Sequence, residues 1–164
     1  MAEAWIINAS PVITLAKAGY LHLLDQLAIE ILIPRSVVDE ILAGPFEDPA
    51  RQAIESGWGD VLSPGLIPEI VLEWGLGAGE SAVLAAALAE PGRMAVLDDA
   101  AARACARTLG IPYLGTLAII LRSKQAGLLE SAATAMHALR QAGLRLDDQT
   151  LRRAMGQIDE SWPG

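Results

Sequence analysis

A single cysteine, Cys105, means that the chain can close no disulfide within itself and build no cysteine-based zinc site. It lies in the alanine-rich segment "AARACARTLG" and reads as a small core residue rather than a catalytic thiol. Only two histidines are present, His22 and His137, in separate helical patterns with no second metal-type ligand beside either, so both read as structural or surface residues. Positive charge is scarce too: 12 Lys and Arg against 20 Asp and Glu leave a formal charge of −8, which argues against broad electrostatic capture of nucleic acid but leaves room for a local basic groove. The four Trp lack the interleaved basic residues of a base-stacking platform, and Trp5 is expected in the core. Hydrophobic residues make up 52% of the chain, yet charge, Gly or Pro interrupts them every few positions, so no segment reaches the length of a membrane span. The start, "MAEAWIINAS", carries an acid where a signal peptide carries positive charge, and a cytoplasmic protein is the expectation.

What is there is an alternation. The 164 residues suit one domain. "AWIIN" reads as a strand, followed by Ser10-Pro11 as a helix start and a helix stopping at Gly19; "YLHLLDQL" adds a second helical piece. "IEILIP" is the next strand, ending at Pro34, with Ser36 as the expected cap of "VVDEILAG". A helix from about Asp48, a short strand "DVL" and a helix over "IPEIVLEWGLG" follow, and then the helix "LGAGESAVLAAALAEPG". "RMAVLDD" and "IPYLG" are strands, each leading into a helix, the second starting near Thr116; the tail is two more helices, the last opening at "LDDQT". Short apolar strands without polar alternation, taking turns with helices, predict an α/β domain with a mostly parallel sheet covered on both faces.

In such a sheet ligands bind beyond the carboxyl ends of the strands. Asn8 ends the first strand, Asp98 and Asp99 end "RMAVL", and Thr116 follows "YLG" at the same edge. Glu40 lies about one turn into the helix after "ILIP". Glu80 opens its helix yet shares a face with Val83, Leu84 and Ala87, so it serves either the helix dipole or a site. Since Asp99 can cap the following helix, Asp98 is expected to point over the strand ends. Oxygen ligands without His or Cys suit a hard cation, Mg²⁺ or Mn²⁺, which could activate water and hold phosphate oxygens. Arg35, Arg122 and Lys124 are the candidate phosphate contacts.

"IINASPVITLAKAGYLHLL", "ILIPRSVVDEIL", "LGAGESAVLAAAL" and "VLDDAAARACARTLGIPYLGTLAIILRSKQAGLL" resemble the successive motifs of PIN-domain-like proteins, in the branch of predicted nucleic-acid-binding proteins related to the toxin ribonucleases of toxin–antitoxin pairs. The resemblance implies a three-layer α/β/α domain over residues 1–129, with 130–164 a helical extension packed on it. It implies Mg²⁺- or Mn²⁺-dependent RNA cleavage by Glu40, Glu80 and Asp98. Asn8 and Asp99 join these as metal-site residues, and Ser10 and Thr116 as polar supports. A homodimer, RNA as substrate and a small antitoxin as partner are the implied associations, with no membrane. One position departs: the family's first acid, an Asp, is Asn8 here, which removes a negative charge and makes a weakened or binding-only member the second reading. A doubly wound regulator or phosphatase using an aspartyl pair is a third, but it would leave Glu40 and Glu80 unused.

Overall fold

The computed structural model describes residues 3–162. Five parallel strands form one sheet in the order β3-β2-β1-β4-β5: β1 is Ala4–Ile7, β2 Glu30–Pro34, β3 Asp60–Leu62, β4 Met94–Val96 and β5 Tyr113–Leu114. The order explains the sequence pattern. β1 lies between β2 and β4, with Trp5 opposite both Ile31 and Met94, and Trp5, Ile6 and Ile7 are all buried. A central strand covered on both faces has no solvent side to alternate toward, hence the unbroken apolar run.

Helices flank the sheet. α1 (Ala9–Ala18) and α2 (His22–Leu27) join β1 to β2, α3 (Arg35–Leu42) and α4 (Pro49–Glu55) join β2 to β3, and α5 (Glu69–Leu72) and α6 (Ala78–Ala89) carry the chain from β3 across to β4. α7 (Ala100–Thr108) links β4 to β5, and α8 (Thr116–Gln125), α9 (Ala132–Gln141) and α10 (Asp148–Gly156) complete the order. α6 crosses β1, β2 and β4 and packs on α3, while α9 packs against α1 and α8. Gly19, at φ 83, ends α1 in the left-handed conformation that costs glycine least. No helix among the described residues is long and apolar enough to cross a membrane.

Two expected caps are corrected. α1 begins at Ala9, with Asn8 at the N-cap and Ser10 already inside the first turn; α3 begins at Arg35, with Pro34 at the N-cap. Neither N-cap side chain bonds to its helix, and the Ser36 hydroxyl instead donates to the Ala78 carbonyl on α6 at 3.4 Å. Both helices start directly off a strand, so their first turns are set by the sheet rather than by a capping hydroxyl. The expected helix over "IPEIVLEWGLG" is one turn, α5. The helix expected from about Asp48 starts at Pro49 and the one expected to open at "LDDQT" starts at Asp148; the carboxylates of Asp48 and Asp147 cap them, accepting from the Ala50 and Thr150 N–H groups.

Candidate functional site

Chain order and spatial order part company between β1 and β4, which are neighbours in the sheet but separated by β2 and β3 in sequence. Crossovers leaving these two strands diverge, and a crevice opens at their carboxyl ends. Asn8 stands at the end of β1, its N–H donating to the Val96 carbonyl of β4 at 3.1 Å. Asp98 stands just past β4, where Leu97 N–H donates to the Leu114 carbonyl of β5. Adjacent strands lie about 4.8 Å apart, so Asn8 and Asp98 flank the same crevice.

Around Asn8 the helices close in. A Cβ on Gly79 would lie 3.0 Å from Asn8 Oδ1, 3.5 Å from Glu40 Oε1 and 3.5 Å from Val37 Cγ2. Gly79 is therefore the point where α6 meets α3 and the end of β1, and its missing side chain leaves the amide and the carboxylate facing one space. Asn8 is 5% exposed, and its Oδ1 is buried without a hydrogen-bond partner. Such an acceptor normally loses about 1–3 kcal/mol when left unsatisfied, and it is the kind of group that a bound ion or water would satisfy.

Asp98 is held past the end of β4 by Thr116, the residue that follows β5 across the same edge of the sheet. One carboxylate oxygen accepts the Thr116 N–H at 2.8 Å and the other the Thr116 hydroxyl at 2.6 Å, so the side chain crowns the start of α8. Thr116 is fully buried, and its donors hold the carboxylate in one orientation. An ionised carboxylate has about four acceptor positions, so Asp98 keeps capacity for a further ligand. Asp99 does cap α7, accepting from Ala102 N–H at 2.9 Å, and is itself exposed.

Glu80 is half-buried in the first turn of α6, and its Oε2 lies 2.7 Å from where a Cβ on Gly77 would sit. Its carboxylate folds back over its own helix start, where the N-terminal partial charge favours an anion. Ser10 is exposed in the first turn of α1. Arg35, at the carboxyl edge of β2, pairs with Asp39 at 3.3 Å on the exposed side of α3. Arg122 and Lys124 are not brought to the crevice: both lie in the last turn of α8, roughly 9 Å or more along its axis from Thr116. Arg122 approaches Glu3, just before β1, at 3.8 Å; Lys124 approaches Glu160 at 3.5 Å and donates to the Glu130 carbonyl. Among the described residues, no three His, Cys, Asp or Glu side chains gather closely enough to hold a metal ion between them. The oxygens present suit a hard, water-rich ion that takes one or two carboxylates rather than a closed protein cage.

Three positions escaped the sequence reading. Gly79 and Gly115 act through what they lack, since a Cβ on Gly115 would lie 3.1 Å from Asp98 Oδ1 and 3.2 Å from Arg103 Nη1. Arg103 itself carried a signal: a cation about one turn into the helix that follows two aspartates runs against the helix dipole and needs another reason to be there.

No curated protein matches the chain. A family model described as a PIN domain matches residues 4–160, from β1 through α10, and PIN domains are nuclease-type folds that generally work with divalent metal ions. The parallel five-stranded sheet flanked by helices agrees with that match, and the chain belongs to the PIN-domain family.

Proposed function

We propose that this protein is a Mg²⁺- or Mn²⁺-dependent endoribonuclease of the toxin type, hydrolysing RNA phosphodiester bonds in the crevice between β1 and β4. The observation that carries the reading is the buried, unpartnered Asn8 Oδ1 facing the same space as the Glu40 carboxylate, at the carboxyl edge of the sheet beside Asp98. Glu40 and Asp98 would hold the ion by charge, Asn8 by an uncharged amide oxygen, and Glu80 and Asp99 add negative potential at the rim. The chemistry supplied by such an ion when bound is activation of water and neutralisation of phosphate charge. Thr116 keeps Asp98 from rotating away, which matters because a loosely held ligand gives an imprecise site. A small antitoxin or a second copy of the chain would find an apolar surface at Leu66, Ile70, Leu72 and Trp74, all of them exposed.

A second reading, a weakened or binding-only member of the family, draws on the amide at Asn8 and on the lack of three gathered acids among the described residues. One experiment separates the two. Purified protein is incubated with structured and single-stranded RNA plus Mg²⁺ or Mn²⁺, beside Asn8→Asp, Glu40→Gln and Glu80→Gln variants. The nuclease reading expects metal-dependent cleavage that falls at least tenfold in Glu40→Gln and rises in Asn8→Asp, since removing a ligand charge weakens metal binding and restoring one strengthens it. Cleavage indifferent to all three substitutions, or none by either the wild type or Asn8→Asp, would overturn it.

A further inference from the structure

Arg103 is placed where a cation has no structural reason to be. It is half-buried on α7, with Nη1 3.2 Å from the point that a Gly115 Cβ would fill, and Asp98 Oδ1 is 3.1 Å from that same point. Yet its guanidinium makes no hydrogen bond, ion pair or ring contact with any described residue. Other cations of the chain are either tied to acids, as Arg51 is to Glu55 and Arg93 to Glu90, or exposed to water, as Lys17 and Arg145 are. A partly desolvated guanidinium without acceptors has given up hydration and received nothing for it. Asp98 lies across the notch but forms no ion pair with it, so the guanidinium keeps its donors for an anion from outside the protein.

We infer that Arg103, with the notch left open by Gly115, is a phosphate-binding subsite that grips a backbone phosphate of the RNA next to Asp98. The guanidinium fork presents parallel N–H donors matched to two terminal oxygens of a phosphodiester, a geometry that a lysine cannot reproduce. Gly115 is buried at the N-cap of α8, and any side chain there would occupy the space between Arg103 and Asp98. The subsite also answers a problem of the acidic total charge: a single well-placed cation beside the carboxylates holds the polyanion in register, without a broad basic face. The cations that the sequence offers for this role, Arg35, Arg122 and Lys124, are paired with Asp39, Glu3 and Glu160.

The inference rests on the nuclease reading for the identity of its ligand, but binding and cleavage are read separately. A fluorescein-labelled single-stranded RNA, with Ca²⁺ in place of Mg²⁺ to hold back chemistry, is titrated with wild type, Arg103→Met, Arg103→Gln and Arg103→Lys, and binding is followed by anisotropy at several salt concentrations. Both neutral variants are expected to bind roughly tenfold to a hundredfold more weakly, the range for a lost charge-assisted contact. They should also lower the slope of log affinity against log salt by about 0.7, the share of one phosphate contact on a single strand. Arg103→Lys should recover the slope and only part of the affinity, and the thermal midpoints of all variants should stay close to that of the wild type. Wild-type-like affinity and slope in both neutral variants would overturn the subsite, as would unfolding of both, which would make Arg103 a packing residue. Wild-type protein that binds RNA through Arg103 yet never cleaves it would keep the subsite and overturn the nuclease reading alone.

Discussion

At the scale of single residues, the proposed site depends on two glycines and an amide. Gly79 has an ordinary helical conformation, so exchange for alanine would by itself favour the helix by about 1 kcal/mol. The added methyl group, however, would sit 3.0 Å from Asn8 Oδ1, closer than carbon and oxygen rest comfortably, and 3.5 Å from Glu40 Oε1. Gly79→Ala is therefore expected to fold with a thermal midpoint within a few degrees of wild type while losing divalent-metal affinity at least tenfold. Calorimetric titration with Mn²⁺ checks this, and unchanged affinity would show that the space in front of Asn8 is not where the ion binds. The division of labour between Asp98 and Asp99 shows how far local reading reaches. That Asp99 caps α7 follows from its position before a helix. That Asp98 crowns α8 through Thr116, eighteen positions away, depends on β4 and β5 being neighbours. Cys105 is fully buried in the core and burial pushes its thiol up, which fits the inert role expected of it.

Among the elements, the end of the chain is held by a contact no local pattern announces. Glu160 accepts from the N–H groups of Ala132 and Ala133 at 2.8 and 3.0 Å and from the Ser131 hydroxyl at 3.1 Å, so it closes the start of α9 from 28 positions away. Burial works to raise this carboxyl, but the bonds from Ala133, Ala132 and Ser131 and the charge of Lys124 outweigh it and hold Glu160 below the usual carboxylate range. Two positions on, Trp162 is buried, stacks on His137 with ring centres 4.0 Å apart, and donates to Asp148 at 3.0 Å. Glu160→Gln should cost roughly 1 kcal/mol at neutral pH, the scale of a lost helix cap. A depressed carboxylate stabilises the fold above its unfolded pKa and loses that contribution as pH falls through the lower folded value. Wild type and variant are thus expected to differ in thermal midpoint at pH 7 and to converge as the medium is acidified below the ordinary carboxylate range. A gap that persists in acid would assign the effect to packing rather than charge.

For the whole molecule, the proposed function asks a chain of net charge −8 to hold a polyanion. On the proposed reading, Glu40 and Asp98, together with the unsatisfied Asn8 oxygen, would make the folded protein a receptor for a divalent cation that the unfolded chain cannot match. Folding and metal binding are then linked: at one hundred times its dissociation constant, Mg²⁺ or Mn²⁺ should add about 2.7 kcal/mol to stability, which for a domain of this size is a rise of roughly 5–10 °C in thermal midpoint. Differential scanning fluorimetry with increasing Mn²⁺ measures it, with Glu40→Gln as the control expected to show a much smaller rise. A wild-type midpoint indifferent to divalent ions would favour the binding-only reading.

The sequence by itself determined the alternation of strands and helices, the burial of Trp5, the helix starts near Asp48 and in "LDDQT", the cap at Asp99, and the motif order that resembles a PIN domain. These are consequences of short-range rules: periodicity, turn chemistry, and the preference of a carboxylate for a helix start. Tertiary structure alone decided that β1 and β4 lie side by side, that α6 meets Glu40 and Asn8 through Gly79, and that Arg103 comes beside Asp98 over Gly115. It also decided that Arg122 and Lys124 turn to Glu3 and Glu160 instead. The physical reason is that a site at a sheet's switch point is assembled from crossovers whose ends meet only once the sheet has closed, and no local rule carries that distance.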